Sequence, residues 1–159
     1  MRPKIRPMTK QDKSAIMPIL RATPQFKPSE VAVAEGVIDS YLRDPMGSGY
    51  HVLVAEVDSS VVGYICYGPT PMTERTWDIY WLAVAPDEQS RGIGRTLLTI
   101  AEDKIKEANG RLALIETSSR PDYERTRRFH HSHGYELVCR IPDFYAPGDD
   151  KLVFRKRLE

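Results

Sequence analysis

Apolar residues along this chain change their spacing several times, and each change marks an element. Residues 4–8 read as a short first strand. In TKQDKSAIMPILRAT, Ile16, Ile19 and Leu20 recur at helical spacing behind Thr9 or Asp12 as candidate caps, and Pro24 and Pro28 break the pattern. A second amphipathic helix fits Ser29 to Arg43 through Val33, Val37, Ile38, Tyr41 and Leu42, with Pro45 and a Gly-Ser-Gly at 47–49 ending it.

The period then shortens. YHVLVAEV, a turn at 58–60 and VVGYICYG predict an antiparallel hairpin, and GPTPMTER leads to a long strand from Thr76 to Ala85. That strand is apolar nearly throughout, which predicts cover on both of its faces. Helical spacing returns with Ile93, Leu97, Ala101, Ile105 and Ala108, and Asn109–Gly110 is a C-terminal stop. RLALIET is a further strand, and Pro121 suits the first position of a short helix running to Gly134. YELVCRI and KLVFRKRL complete the series, separated by a predicted loop over 142–150. The order predicts one mixed α/β sheet, and 159 residues predict a single domain over 1–159.

Lys and Arg total 23 against 22 Asp and Glu, a formal charge of +1, so neither nucleic acid nor an anionic membrane is an expected partner. Any anion site must be local. Cys66 and Cys139 both lie in apolar runs and predict two reduced core thiols. The N-terminal stretch lacks the apolar run of a signal peptide and nothing reaches membrane-spanning length, so a cytoplasmic location is expected.

The local anion site is legible in DEQSRGIGRTLL, from Asp87 to Leu98, where a strand hands over to a helix. A helix start exposes unpaired N–H groups and partial positive charge, and glycine lets an anion approach the main chain. Gly92 and Gly94, flanked by Arg91 and Arg95, suit a diphosphate. A nucleoside-triphosphate loop needs Lys-Ser or Lys-Thr after its last glycine, whereas Arg95–Thr96 follows here. A dinucleotide fingerprint needs a third glycine where Leu97 stands. A Gln/Arg-x-x-Gly-x-Gly/Ala loop fits as Gln89-x-x-Gly92-x-Gly94.

With WLAVAPDEQSRGIGRTLL, the strand ALIET and the helix ending FHHSHGY, the chain resembles the GCN5-related N-acetyltransferase (GNAT) family. The resemblance implies an α/β (α+β) fold, a mostly antiparallel twisted sheet of about seven strands with about four helices on both faces. It implies acetyl-CoA as co-substrate. No metal is expected, since on a helix His130 and His133 share a face, His131 points away and no carboxylate or thiol completes a set. Gln89 and the backbone of Arg91, Gly92, Ile93, Gly94 and Arg95 would face the diphosphate, and Leu82, Ala83 and Val84 the pantetheine arm, where the fourth and fifth strands splay. Glu116 would be the general base, with Asp78 the second choice. His130 stands where the family has an acidic tyrosine, and a histidine can protonate a thiolate near neutral pH. Tyr145 is the other candidate acid, and Tyr123 occupies a cofactor-contacting position. Arg120, Arg125, Arg127 and Arg128 form a basic cluster, read either as a solvated helix face or as a contact for the cofactor's 3′-phosphate. Residues 24–50, 68–76 and 142–150 would build the acceptor side, and Asp143, Asp149 and Asp150 favour a small cationic amine. A non-catalytic acyl-CoA sensor, a protein or peptide N-acetyltransferase and a homodimer stay open.

Overall fold

A computed structural model describes residues 2–159. The elements are β1 (Lys4–Pro7), α1 (Lys13–Ala22), α2 (Pro28–Arg43), β2 (His51–Val57), β3 (Ser60–Pro69), β4 (Thr76–Val84), α3 (Ile93–Glu107), β5 (Leu112–Ser118), α4 (Glu124–Ser132), β6 (Glu136–Ala146) and β7 (Asp149–Arg157). The strands form one sheet in the order β1-β2-β3-β4-β5-β7-β6, in which β4 and β5 run parallel and every other neighbouring pair is antiparallel. Among the described residues, no helix is long and apolar enough to cross a membrane.

Helices cover both faces, and the central strands show why their sequences read as unbroken apolar runs. Val52 and Val54 of β2 and Tyr64 and Cys66 of β3 face α1 and α2. The alternate residues Leu53, Ala55, Ile65 and Tyr67 face α3. α3 buries most of the stripe read from its sequence, with Leu97, Ala101 and Ile105 fully enclosed, whereas Ala108 falls just past the helix end and is exposed. Glu102 is enclosed too, which the apolar pattern did not foretell. It accepts the Tyr135 hydroxyl at 2.6 Å and the Lys156 ammonium at 2.9 Å, so its charge is partnered inside the core.

The C-terminal hairpin departs from expectation. The predicted loop over 142–150 is strand: β6 continues to Ala146, and only Pro147 and Gly148 separate it from β7. Gly148 has φ +81°, the left-handed value that such a tight turn favours. Pro142 is tolerated because β6 is the sheet's edge and its register with β7 is broken between Ile141 and Ala146. The same edge position overturns the core assignment of Cys139, which is exposed, whereas Cys66 is buried as expected.

Candidate active site

The site begins with a fault in the sheet. β4 and β5 pair only from Thr76–Leu112 to Ile79–Ile115. Beyond that point β4 stays bonded to β3 as far as Val84, and β5 stays bonded to β7 as far as Ser118. The two strands therefore diverge. The cause lies on β4: Cys66 opposes Trp81 and Tyr67 opposes Ile79, which leaves Tyr80 as an extra, bulged residue. A bulge bends its strand and shifts the side-chain alternation by one. Both effects are visible. Trp77 and Ile79 face α3 before the bulge, Leu82 and Val84 do so after it, and Trp81 and Ala83 turn toward α1 and α2.

A cavity of about 1230 Å³ fills the divergence, with the β4 segment 78–84 on one wall and Ile115–Ser118 of β5 on the other. The loop after β4 closes one end. Gln89 Nε2 donates to the Val84 carbonyl at 3.1 Å and ties the loop to its strand. Ser90 and Gly92 take φ values of +67° and +81°, which curl the chain into α3. The Gly92 carbonyl then accepts from the Thr96 N–H at 3.0 Å and the Thr96 hydroxyl at 2.9 Å. Among the described residues, no main-chain N–H from Arg91 to Arg95 donates to a protein acceptor. A cluster of free N–H groups at a helix start is a binding site for an anion. Packing does not demand either glycine: a Cβ on Gly92 meets nothing within 4 Å, and one on Gly94 rests 3.5 Å from Phe129 in ordinary contact. The conformation requires Gly92.

The basic residues do not act as one patch. Arg127 Nη1 donates to the Ser118 and Arg120 carbonyls at 2.8 and 2.9 Å, so it braces the turn between β5 and α4. Arg120 donates to the Gln25 carbonyl at 3.0 Å and lies over the Tyr123 ring. Arg128 pairs with Glu124 on the solvent face. Arg125 donates to the Ser90 hydroxyl at 2.6 Å and alone of the four stands against the glycine loop.

The residues expected to act on the acyl group all line the cavity, on different walls. Glu116, half exposed, is held by Lys151 Nζ at 3.0 Å. Neither helix covers it, because α1 and α2 lie over β2 to β4 and no β5 residue joins that core. Asp78 accepts from the Thr70 hydroxyl at 2.6 Å and from Tyr80. Burial and the nearby Glu116, Asp149 and Glu30 carboxylates push the Tyr145 phenol up to about 12. The Tyr123 phenol is likewise raised by burial, to about 12.

His130 corrects a sequence expectation. It is only 5 % exposed, edged by Phe129, Tyr135 and Phe154, and its Nδ1 has no partner. Burial, aided by His133, pulls its pKa down to about 4. At neutral pH the ring is uncharged, and the imidazolium expected from sequence is not its resting form. His133 Nδ1 sits 3.0 Å from the Phe129 carbonyl, which only a ring N–H can satisfy, and its Nε2 is buried without a partner. Among the described residues, no group of three His, Cys, Asp or Glu is placed to hold a metal.

The acceptor side is also redrawn. Segment 68–76 does not reach the cavity, whereas the α1–α2 loop, Glu30, Tyr50 and Tyr145 do. Of the three aspartates near the last turn, Asp150 is tied to Arg140 and the Asp143 N–H, and Asp143 to the Gly148 N–H. Only Asp149 faces the cavity, bonded to the Ser118 hydroxyl. Sequence reasoning missed the Tyr80 bulge and Thr117, a buried polar residue on the wall of the gap. Thr117 carried one signal, a hydroxyl on the same alternation face as Ala113 and Ile115.

A splayed parallel pair, a bulged strand and an anion loop at the following helix define an acyl-CoA N-acyltransferase fold. The chain matches the acetyltransferase (GNAT) family over residues 15–135, and it belongs to that family. It is similar to a GNAT-family protein of known structure from Desulfovibrio desulfuricans, at 37 % identity and TM-score 0.95, with 99 % of each chain covered. It also resembles an uncharacterized N-acetyltransferase of Methanocaldococcus jannaschii, at 32 % identity over 105 residues, 65 % of this chain. The match spans 64 % of that archaeal protein's length. The PaiA N-acetyltransferase of Thermoplasma acidophilum, solved with coenzyme A, shares the fold at TM-score 0.77 and 16 % identity, with 99 % of each chain covered.

Proposed function

We propose that this protein moves an acetyl group from acetyl-CoA to the primary amine of a small cationic molecule, by direct attack within a ternary complex. One observation carries the reading: the free N–H groups of residues 91–95 and the unpaired β4 edge from Tyr80 to Val84 open into one cavity. A diphosphate on the loop and an amide-bearing arm laid along the strand edge satisfy both, as a strand added to a sheet does.

Glu116 serves as base, drawing a proton from the incoming ammonium through water. The nitrogen attacks the thioester carbonyl, the N–C bond forms as the C–S bond breaks, and the electron pair leaves on sulfur. Of the two protons the ammonium loses, one ends on the coenzyme A thiol and one in solvent. A covalent enzyme intermediate has no support in the thiols. Cys66 lies in the opposite core with its thiol pushed up to about 12 by burial, and Cys139 is on the outer edge.

A cationic acceptor is supported by two cavity carboxylates without a cationic partner among the described residues. Glu30 accepts only from the Lys27 N–H, and Asp78 only from hydroxyls. Tyr50, Tyr80, Phe26 and Trp81, in edge-on pairs, add aromatic faces that favour an ammonium. Arg125, beside the loop, is the cation of its helix that would meet a further cofactor phosphate.

Thiol release from acetyl-CoA, followed across diamines, amino acids, aminoglycoside-type amines and N-terminal peptides, tests the reading. Turnover with small cations and little with peptides is expected. Stabilisation by coenzyme A with flat thiol release throughout identifies a sensor instead.

A further inference from the structure

Of the nine large apolar side chains left exposed among the described residues, five stand on β6: Leu137, Val138, Ile141, Phe144 and Tyr145, each between 39 and 52 % exposed. Nothing in the chain covers them. β6 is the outer strand of the sheet, and the core under α1 and α2 takes no residue from β5, β6 or β7. Cys139 and Ile141 oppose Val153 and Lys151 of β7, on the face that also carries Glu116, and Cys139 is exposed with its neighbours. Single exposed apolar residues are ordinary, whereas a contiguous strip marks a surface that is covered in use. Five half-exposed side chains of this size present on the order of 400 Å² of apolar surface. A standard interface takes about 800 Å² from each partner and is a little over half apolar. The strip is large enough to be the apolar part of one.

The order of residues along the strip identifies what covers it. Outward from the Ile141–Pro142 bond come Arg140 and Asp143, then Cys139 and Phe144, then Val138 and Tyr145, then Leu137 and Ala146. Laid antiparallel on a second copy about that point, the strip sets cation against carboxylate twice and apolar against apolar at the other steps. A two-fold interface needs this self-complementarity, because one patch serves both partners. Both charges have capacity to spare. Among the described residues, Arg140 uses only its Nε, on Asp150, and the Asp143 carboxylate accepts only from the Gly148 N–H. An added peptide strand fits less well. Pro142 has no N–H and Asp143 takes φ +57°, so the outer edge cannot carry a ladder through its middle.

We propose that β6 is the two-fold interface of a homodimer, its copies packed antiparallel through their side chains about the Ile141–Pro142 bond. The interface adjoins the cavity. Phe144 meets Tyr145, a cavity residue, edge-on at 5.0 Å, and its ring lies under Lys151 Nζ, the group that holds Glu116. The second copy therefore stands beside the end proposed for the acceptor.

The chain carries its own reporter, since Cys139 lies within the strip and the other thiol, Cys66, is buried. Sedimentation of the intact protein at micromolar concentration should give a particle of twice the 18.1 kDa chain mass, dissociating on dilution. Alkylation of Cys139 by iodoacetamide should slow about tenfold over the same rise in concentration. Ile141→Glu places two like charges at the axis on a side chain that the single chain leaves exposed. This variant should sediment as one chain and alkylate fast at every concentration, with the circular dichroism of the folded protein. A wild-type mass of one chain throughout, with alkylation independent of concentration, overturns the proposal without need of a variant. Dimers of Ile141→Glu as tight as those of the wild type overturn it too, by moving the interface to another face. Alkylation slowed by an added N-terminal peptide and not by concentration assigns the strip to a peptide instead. These readouts use neither acetyl-CoA nor an acceptor, so their outcome is independent of the function proposed above.

Discussion

The two ends of the cavity are built on different principles. The end proposed for the cofactor is main chain: free N–H groups of residues 91–95, held by one glycine with φ +81°, and an unpaired strand edge. The end proposed for the acceptor is side chain, with Glu30 from α2, Asp78 and Tyr80 from β4, Glu116 from β5 and Tyr145 from the β6–β7 hairpin. A site of backbone depends on conformation and tolerates change in the residues around it. A site of side chains gathered from four elements is respecified by single substitutions while the fold stays the same. The contrast teaches that such a protein can keep its donor while its acceptor diverges.

The largest test breaks the main-chain half alone. Gly92→Val forces a β-branched residue into the left-handed region, although nothing within 4 Å blocks its Cβ. Steady-state kinetics should show kcat/KM for acetyl-CoA down by about 100-fold, since a displacement near 1 Å is enough to spoil alignment. Circular dichroism should remain that of the folded chain. An unchanged coenzyme A affinity in this variant would separate the loop from the cofactor.

His130 lies where the halves meet, and its burial is a statement about stability. The folded pKa, about 4, is below the unfolded value near 6.5, so the unfolded chain binds the extra proton between those limits. Its contribution is present above pH 6.5 and is lost as pH falls toward 4. Urea titrations should show about 2 kcal/mol less stability at pH 5 than at pH 7 from this group, and His130→Asn should flatten that slope. A slope unchanged by the substitution would mean that the imidazole is not sealed from water.

On the side-chain half, Glu116→Gln should lower kcat about thirtyfold and leave coenzyme A binding intact. That is below the usual range for a general base because the carboxylate is half exposed and acts through water. The smallest effect belongs to recognition. Glu30→Gln should raise the KM of a dicationic acceptor about fivefold, with no change for acetyl-CoA and little for a monoamine. Equal changes for all three substrates would remove Glu30 from the acceptor end.

Legibility follows the same division. The glycine loop was readable because its information is local: glycine spacing, flanking arginines and the start of a 3.6-residue period all lie within Asp87–Leu98. The Tyr80 bulge was not. A bulge shows itself as a break in alternation, and β4 is apolar on both faces, so the change of face left no trace in TWDIYWLAVA. The stretch PDFYA looked like loop because Pro142 and Asp143 are poor strand formers, but an edge strand tolerates both. Cys139 was misplaced by the same edge.

What the chain determined by itself is the order of its elements, the helices on both faces and the turn that frees five N–H groups, because hydrophobic period and glycine conformation act over a few residues. What only the tertiary structure decided is the environment of each candidate catalytic group. Glu116 is open because two helices stop one strand short of it, and His130 is buried because Phe129, Tyr135 and Phe154, the last 24 positions away, pack around its ring. Solvation is set by whatever packs nearby, and packing partners come from distant parts of the sequence.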